Sequence, residues 1–347
     1  MRVISVDPIS DARWQRLQAG GGAGLFHSQP WFAALADTYA LSIRALLALD
    51  DAGTTSAGLA CCQIDDELGP RLVALPFSDA CDPLVRSPEG WEALMNHLSQ
   101  GTMPVHLRFL DFVLPGEGMR PEIVKRARWH RLNLDSPIAS LWSGLAAANR
   151  RAIRKAENGG LVLRPLEGDG ELQRFHALHV GLRKRKYRLL AQPFAFFQAI
   201  SRRFRAVDGC YPLGAYLDGQ LIAGALFLHW GDTLYYKFNA SAESGLPLRP
   251  NNLLIWNGIQ LAQSLGCRWL DLGPSDDDQP GLVRFKRDFG ATESELRHLR
   301  MTPASAVHRD TRHTRRLLGD LTALLTAPQV PDEVSAEAGA MLYRLFA

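Results

Sequence analysis

An Asp218-Gly219 pair between two apolar runs is the sequence feature that most constrains the fold. The run before the pair reads YPLGAYL and the run after it reads QLIAGALFLHW, and both have the length of a strand. An Asp-Gly pair in this setting is the strongest short-range signal for a two-residue hairpin turn. The stretch therefore predicts two antiparallel strands, around which the second half of the chain is organised.

This hairpin opens an ordered series of predicted elements that continues to Leu299. DTLYYKFNAS is rich in aromatic residues and predicts a third strand. RPNNLLIWNGIQLAQSLG has apolar residues at helical spacing, with Asn251 or Asn252 as the candidate cap and Gly266 as the stop. RWLDLGPS predicts a buried strand, GLVRFKRDFG a short basic helix and ELRHLRM a last strand. The predicted order is hairpin, strand, helix, strand, short helix, strand.

The first half of the chain has a similar order of predicted elements. Ser28 and Pro30 begin the segment WFAALADTYA, which predicts a capped amphipathic helix, and three strand segments follow it. Ser87 is the candidate cap of the next helix. A chain of 347 residues is also long for a single core. A tandem of two similar α+β domains is therefore the economical interpretation.

The domain boundaries are predicted from turns and from changes in composition. The first domain is placed at 1–139, and a connecting helix at 140–160 begins at Ser140 and is stopped by two glycines. The second domain is placed at 161–302. The basic, helical composition that follows predicts a C-terminal tail at 303–347.

Composition favours an ordinary globular protein without metal or disulfide framework. The chain is 46% hydrophobic and 22% charged, and no apolar run approaches the length that spans a bilayer. The N-terminal segment lacks the apolar region of a signal peptide. The five cysteines are scattered, without a CxxC spacing or a histidine partner. We therefore expect a cytoplasmic protein with reduced cysteines and no metal site.

Basic residues are concentrated in the middle of the chain. Between 147 and 188 there are eleven Lys or Arg residues against four acidic residues, although the net charge of the whole chain is only +3. Such a cluster is consistent with a phosphate-bearing ligand. A solvated helix face has the same composition, and the sequence leaves both interpretations open.

Several segments together resemble the FemAB-like branch of the GNAT acyltransferase superfamily. They are AYLDGQLIAGALFLHW, YYKFNAS, RPNNLLIWNGIQLA, LDLGPS with FKRDFGA, NRRAIRKAENGGLVLR and FHSQPWFAAL, and they extend from Phe26 to Arg300. The resemblance implies two tandem GNAT-like domains, each a mixed central sheet flanked by helices, with the tail packed on the first domain. It also implies transfer of an acyl or aminoacyl group to an amine of a cell-envelope precursor or related metabolite.

The resemblance implies a donor site where the second-domain helix begins. Arg249, Asn251, Asn252 and Leu253 occupy the place where such enzymes hold the donor phosphates on backbone N–H groups. The preceding segment SGLPLRP has one glycine and two prolines, whereas the usual GNAT loop is glycine-rich. That departure resembles family members that use aminoacyl-tRNA rather than acyl-CoA as donor, and the choice stays open. An ordinary core helix is the structural alternative.

Lys286 and Tyr236 are the candidates for the chemical step. In the related peptidyltransferases a lysine matching Lys286 lies near the reacting centre, which implies binding of the acceptor or stabilisation of transition-state charge. Phe285 and Phe289 share one helix face, so Lys286 projects elsewhere, and a surface lysine is the alternative. Tyr236 could donate a proton to the leaving group.

The remaining candidates would bind substrate. Along the predicted third strand, alternation lets Lys237 and Asn239 present polar groups to a cleft. Ser275 follows the LDLG strand, at the carboxyl end where ligands bind in open sheets. The resemblance further implies contacts to acceptor or phosphate from a basic segment. A turn-rich loop of the first domain could line the acceptor cleft, and a structural Asx-turn is its alternative role. These residues are Arg183, Arg185 and Lys186 in the basic segment, and Ser78 and Asp79 in the loop.

Two other functions are compatible with the sequence. A catalytically silent GNAT-like scaffold would explain the unusual donor loop. A nucleic-acid (tRNA) binding module would explain the basic middle, although aromatic residues do not interleave with the basic clusters as stacking platforms require. A transferase that takes its donor from charged tRNA would combine this second function with the first.

Overall fold

The computed structural model describes residues 1–110, 121–306 and 309–347, which form two compact units. The first unit comprises Met1–Arg128, Ser294–Leu317 and Leu345–Ala347, and the second comprises Trp129–Glu293 and Leu318–Arg344. The two units therefore interleave along the chain. The C-terminal tail contributes to both of them.

The first unit is a mixed sheet with helices. Its elements are β1 (Arg2–Val6), α1 (Ala12–Ala19), a 3₁₀ turn (Leu25–His27), α2 (Gln29–Tyr39), β2 (Ile43–Leu49), β3 (Thr55–Ile64), β4 (Arg71–Val73), β5 (Leu84–Val85), α3 (Pro88–Ser99) and β6 (Val105–Phe109). The sheet order is β1-β2-β3-β4-β6-β13, in which β13 (Thr292–Met301) comes from late in the chain. β4 and β6 are parallel, and the other neighbours are antiparallel.

The second unit has the same kind of mixed sheet. Its elements are β7 (Glu122–Asn133), α4 (Ile138–Gly144), α5 (Ala147–Asn158), β8 (Val162–Pro165), α6 (Gly168–Leu182), a π-helical turn (Arg183–Tyr187), α7 (Phe194–Arg205), β9 (Cys210–Leu217), β10 (Gln220–Trp230), β11 (Thr233–Ser241), a 3₁₀ segment (Glu243–Leu248), α8 (Pro250–Ser264), β12 (Trp269–Asp276) and α9 (Pro280–Arg287). The tail forms α10 (Arg312–Leu325), α11 (Asp332–Leu342) and a 3₁₀ turn (Tyr343–Phe346). The sheet order is β7-β12-β11-β10-β9-β8.

The two units repeat one order of elements. Each has a strand, two helices, three strands, a helix and a strand: β1 to β6 in the first unit, with β5 as an extra short strand, and β8 to β12 in the second. The strand that follows each repeat ends in the other unit, since β7 is the neighbour of β12 and β13 is the neighbour of β6. The predicted α+β tandem of mixed sheets flanked by helices is confirmed.

The predicted hairpin at the centre of the second unit is confirmed. β9 and β10 are antiparallel, and Leu217 faces Gln220 across the turn. Asp218 and Gly219 have φ values of 49° and 80°. Positive φ at both central positions is typical of the type I′ turn that matches the twist of paired strands.

Helices cover both faces of the second sheet. On one face the ring of Phe227 lies against Gly258 of α8, where a Cβ atom would come within 2.4 Å of the ring. On the other face Phe238 packs against Phe197 of α7, with ring centroids 4.9 Å apart. Gly224 faces this second side too, because a Cβ there would lie 2.7 Å from the Phe175 ring of α6. The α8 side and the α6–α7 side are therefore opposite faces.

Two of the predicted helix starts are confirmed, and one predicted helix is divided into two. The side chains of Ser28 and Ser87 accept backbone hydrogen bonds at the starts of α2 and α3, as predicted. The segment predicted as one helix at 140–160 contains two helices, α4 and α5, and Ser140 lies inside α4. The break follows from a tertiary bond, since the Ala146 N–H donates to the carbonyl of Asp288 at 2.9 Å.

Candidate active site

Strands β11 and β12 pair over only part of their length. Their parallel register joins Thr233 to Trp269, Leu234 to Leu270 and Tyr235 to Asp271, and no later pair is formed between them in the part of the chain that the structure describes. Both strands continue, to Ser241 and Asp276. Their carboxyl-terminal halves therefore diverge, at the kind of sheet edge where ligands bind in open α/β sheets.

A β-bulge lies on β11 at the point of divergence. Phe238 faces Leu226 on β10, but Phe227 faces Tyr236, so Lys237 is the additional residue. A bulge interrupts the ladder and re-aims side chains. The predicted simple alternation of Tyr236, Lys237 and Asn239 is therefore wrong at this point. The ammonium of Lys237 lies 5.0 Å from the centroid of the Phe238 ring.

The hydroxyl of Tyr236 is buried beside the bulge and has no hydrogen-bond partner among the described residues. Its ring packs on Phe227 with a centroid distance of 5.4 Å. Burial raises the pKa of this phenol above its ordinary value, so the proton stays on the oxygen at neutral pH. A buried hydroxyl without a partner costs free energy unless a ligand or water satisfies it.

Ser275 on β12 has the same property. It is 2% exposed, and its hydroxyl has no partner within the described ranges. Gly273, two residues earlier, has a φ of 69°, which turns the strand at this end. Tyr236 and Ser275 thus supply buried, unsatisfied hydroxyls on the two strands that diverge.

A buried carboxylate fixes the turn of β12. Asp271 accepts hydrogen bonds from the Trp129 indole N–H at 2.7 Å, from Arg131 Nε at 3.1 Å and from the Gly273 N–H at 2.7 Å. Burial raises the pKa of Asp271, and the positive charge of Arg131 opposes that rise. The carboxylate therefore ties β7 to β12 and shapes the backbone on which Ser275 lies.

Lys286 is buried, not on the surface. It is 6% exposed, and its Nζ donates to the carbonyls of Gly273 at 3.0 Å and Pro274 at 2.8 Å. Phe285 and Phe289 pack edge to face at 5.3 Å, on the side of α9 that contacts the core. The ammonium of Lys286 therefore lies near the carboxyl end of β12, where it is bonded to the residue that precedes Ser275.

The N-terminus of α8 has no side-chain cap. Arg249 is the N-cap residue, exposed and in the left-handed conformation with a φ of 62°. Asn251 and Asn252, the predicted caps, bond elsewhere. Asn251 Oδ1 accepts from the Ser241 hydroxyl at 2.8 Å, and Asn252 Nδ2 donates to Asn149 Oδ1 at 3.0 Å. Leu253 is buried in the core, so only its backbone remains a candidate for donor contact.

Few backbone N–H groups of the preceding loop are available to an anion. Pro247 and Pro250 carry no N–H group. The N–H groups of Gly245, Arg249 and Asn252 donate to carbonyls within the same segment, at 3.0 to 3.1 Å. This loop therefore offers a poorer cradle for a pyrophosphate than a glycine-rich loop would.

The basic segment predicted to bind substrate anchors the tail. Arg185 forms a salt bridge with Asp332 of α11 at 2.9 Å, and the preceding residue Lys184 pairs with the same carboxylate at 2.9 Å. Arg183 donates from Nε to the Leu190 carbonyl at 3.2 Å, and the Lys186 ammonium lies 5.2 Å from the Tyr187 ring. The contacts of Arg183 and Arg185 therefore stabilise this segment and the tail, and none of them is made to the diverging strands β11 and β12.

Ser78 and Asp79 lie in the first unit. Ser78 is fully buried, and its hydroxyl accepts from the Trp31 indole at 2.7 Å and donates to the Pro76 carbonyl at 3.3 Å. The prediction that Ser78 lines a cleft is therefore wrong, because its side chain is bonded within the core. Asp79 is half-buried.

The described residues, 1–110, 121–306 and 309–347, contain neither a cluster of side chains placed to hold a metal ion nor a helix able to cross a bilayer. Within these ranges no group of three or more His, Cys, Asp or Glu side chains is placed to hold a metal ion, and the five cysteines are free thiols. None of the helices in the same ranges has the length and apolar character needed to cross a bilayer.

Sequence reasoning missed the bulge at Lys237, the three bonds to Asp271 and the Asn149–Asn252 pair. Only Asp271 carried a signal, because an acidic residue inside the apolar run RWLDLG must be satisfied if that run is a buried strand. The bulge and the asparagine pair depend on partners distant in the sequence.

The family model of the acetyltransferase (GNAT) domain matches residues 146–287, which include the diverging strands, the bulge and α8. No curated protein matches the chain in sequence. The solved structure of FemX matches with a TM-score of 0.60 at 12% identity, covering 92% of this chain and all of that one.

Two further structures agree with this fold. A tandem GNAT protein from the clavulanic acid biosynthesis pathway has a TM-score of 0.54 at 13% identity, covering 89% of this chain and 99% of its own. L-PGS from Bacillus licheniformis has a TM-score of 0.52 at 13% identity, covering 89% and 96%. Residues 146–287 are thus similar in sequence to a GNAT acetyltransferase domain, and the whole chain has a fold similar to those of FemX and the tandem GNAT protein, as the resemblance of its sequence predicted.

Proposed function

We propose that the protein transfers an acyl or aminoacyl group to an amine of a cell-envelope precursor or related metabolite. The carrying observation is the divergence of β11 and β12 at the Lys237 bulge, where Tyr236 keeps a buried hydroxyl without a partner. The likeness to FemX and L-PGS favours this class of reaction. A small molecule or a precursor-linked amine would be the acceptor.

In the proposed reaction the acceptor amine attacks the donor carbonyl directly. A carbon–nitrogen bond forms, and the negative charge that develops on the carbonyl oxygen needs hydrogen-bond donors where the two strands diverge. The bond from carbon to the leaving oxygen or sulfur then breaks, Tyr236 gives its proton to that atom, and the proton released by the amine returns through solvent to the Tyr236 oxygen. Lys286 holds the carbonyls of Gly273 and Pro274 in place and contributes positive charge beside the reacting groups.

The donor loop favours an aminoacyl-tRNA. An acyl-CoA pyrophosphate needs several backbone donors, and here two prolines and three internal hydrogen bonds remove most of them. An ester-linked aminoacyl group would need fewer contacts at α8, since the rest of the RNA binds elsewhere. The second candidate donor is acyl-CoA, which the match of residues 146–287 to the acetyltransferase domain favours. Arg249 would contact phosphate in either case.

Thermal shift of the purified protein distinguishes the donors. Acetyl-CoA, a longer acyl-CoA and a mixture of charged tRNAs are compared, because a ligand of the native state raises the unfolding midpoint by mass action. A shift with charged tRNA alone supports the aminoacyl donor, and a shift with a CoA ester alone supports the second candidate. A flat response to all three would contradict the proposal and favour a catalytically silent scaffold.

Lys286→Ala tests the active site itself. We expect loss of transfer by about 100-fold or more, because a positioned charge is removed next to the reacting groups. Arg284→Ala is the matched control, since Arg284 lies on the same helix with its side chain 82% exposed. Both variants should fold, as judged by circular dichroism. Unchanged turnover in folded Lys286→Ala protein would exclude the proposed role of Lys286.

A further inference from the structure

Helix α5 has a buried face and an exposed polar face. Asn149, Ile153 and Ala156 are buried at positions separated by four and three residues. Arg151, Arg154 and Lys155 are exposed. Residues three and four apart lie on one side of a helix, so these three basic side chains form a single patch, here named the α5 basic face.

The charges of the α5 basic face are not neutralised. None of its three side chains forms a salt bridge with an acidic residue in the part of the chain that the structure describes. Other basic residues of this unit are paired, for example Arg287 with Glu293 at 2.7 Å. The guanidinium of Arg154 lies 5.7 Å from the centroid of the Trp142 ring, which leaves its charge available to a ligand.

The helix that carries the α5 basic face packs against the proposed donor site. The amide of Asn252 in the first turn of α8 donates to Asn149 of α5 at 3.0 Å. At the other end of α5, a Cβ atom on Gly159 would lie 3.3 Å from Leu248 of the donor loop. Two contacts therefore fix α5 against the start of α8, where Arg249 adds a further exposed positive charge.

The chemistry of the face favours RNA phosphates. Guanidinium groups bind phosphate in a bidentate manner, and lysine adds a point charge. A membrane-surface helix would instead expose large apolar side chains beside its basic residues. The exposed residues of α5 are alanine, arginine, lysine, asparagine and glutamate, with none of the large apolar side chains. The observations therefore favour a nucleic acid over a lipid surface.

We propose that the α5 basic face binds the phosphate backbone of the RNA that carries the aminoacyl donor. The inference rests on the proposed function, because it assigns the partner of that same site. The RNA would follow α5 while its aminoacyl end enters the divergence between β11 and β12. Phosphate contacts would position the donor without reading its sequence.

The test is fluorescence anisotropy with deacylated bulk tRNA over a series of salt concentrations. The triple variant R151Q/R154Q/K155Q should raise Kd about 10- to 100-fold at 0.1 M salt and reduce the slope of log affinity against log salt by roughly two. R202Q/R203Q/R205Q removes the same charge from exposed positions of α7, on the opposite side of the sheet. That control should change Kd less than about twofold.

Three outcomes of the binding measurements would contradict the proposed RNA surface. The first is an unchanged tRNA affinity in the α5 variant, and the second is an equal loss of affinity in the α7 control. The third is wild-type protein that binds phosphatidylglycerol vesicles but not tRNA, with vesicle binding lost in the α5 variant. Wild-type protein that transfers from acyl-CoA and does not bind tRNA also overturns it, while the transferase function stands. Conversely, loss of tRNA affinity only in the α5 variant supports the surface even if Lys286→Ala leaves turnover unchanged, because binding is measured without chemistry.

Discussion

The helices α3 and α8 occupy the same place in the two repeats, but their N-termini differ. The hydroxyl of Ser87 accepts from the Gly90 N–H at 3.1 Å at the start of α3, and Glu89 stands in the first turn. At the start of α8 no side chain caps the helix, the first turn has no acidic residue, and Arg249 is exposed. The start of α3 is capped by its own side chain, whereas the start of α8 has no side-chain cap and carries an exposed positive charge.

Packing reinforces this difference. A Cβ atom on Gly90 would lie 2.8 Å from the backbone carbon of Ser56, so the start of α3 is pressed against β3. A backbone N–H and the Ser87 hydroxyl lower the pKa of Glu89, so the first turn of α3 carries a negative charge, which disfavours a bound phosphate. Duplication of the fold therefore preserves the framework in both units, and we propose that only the second unit binds the donor.

Tyr236→Phe tests the chemical side of this comparison and has the largest expected effect. The first unit has apolar Leu72 and Val73 on β4, the strand equivalent to β11. Removing the phenol should lower kcat about 100-fold, the usual contribution of a general acid. The free energy of unfolding should change little, because the hydroxyl has no partner to lose. Full activity of the variant in steady-state kinetics would show that β11 does not differ from β4 by carrying a catalytic phenol.

Arg249→Gly tests the open helix end. Glycine fits the φ of 62° at this position, so the variant should fold without strain. Loss of one charge-assisted contact to phosphate should weaken donor binding about 10- to 100-fold. Isothermal titration with the donor identified by thermal shift measures the change. An unchanged Kd would remove the distinction between α8 and α3.

Much of the fold was predictable because its signals are local. The Asp218-Gly219 turn and the caps Ser28 and Ser87 each depend on a few adjacent residues. The order of elements in both halves follows from such signals together with periodicity. These are the features that the sequence predicted correctly.

The site was less predictable because its features depend on distant partners. The bulge at Lys237 exists only in register with β10, and the burial of Lys286 depends on carbonyls 12 and 13 residues away. The predicted caps Asn251 and Asn252 instead bond to Ser241 and Asn149. A sequence pattern marks such residues as candidates, but tertiary contacts decide their roles.

The acid stability of the second unit gives a pH test. Burial lowers the pKa of His179 to about 3, while the unfolded state titrates near 6.5. The unfolded chain therefore binds the additional proton below pH 6.5, and stability is lost as the pH falls through this range. His179→Gln should flatten that loss by up to about 1.4 kcal/mol per pH unit in urea unfolding. An equal dependence of the unfolding free energy on pH in the variant and the wild type would contradict this role of His179.

Ser87→Ala has the smallest expected effect and sharpens the comparison from the side of the first unit. Loss of the hydroxyl that caps α3 should reduce the free energy of unfolding by about 1 kcal/mol, as removal of a serine cap usually does. Donor affinity and kcat should stay within about twofold of wild type, because this helix end is closed by Glu89 and by its packing on Ser56. Urea unfolding and donor titration on one preparation give both values. A weaker donor affinity without loss of stability would mean that α3 also holds donor, and the two units would then share the function.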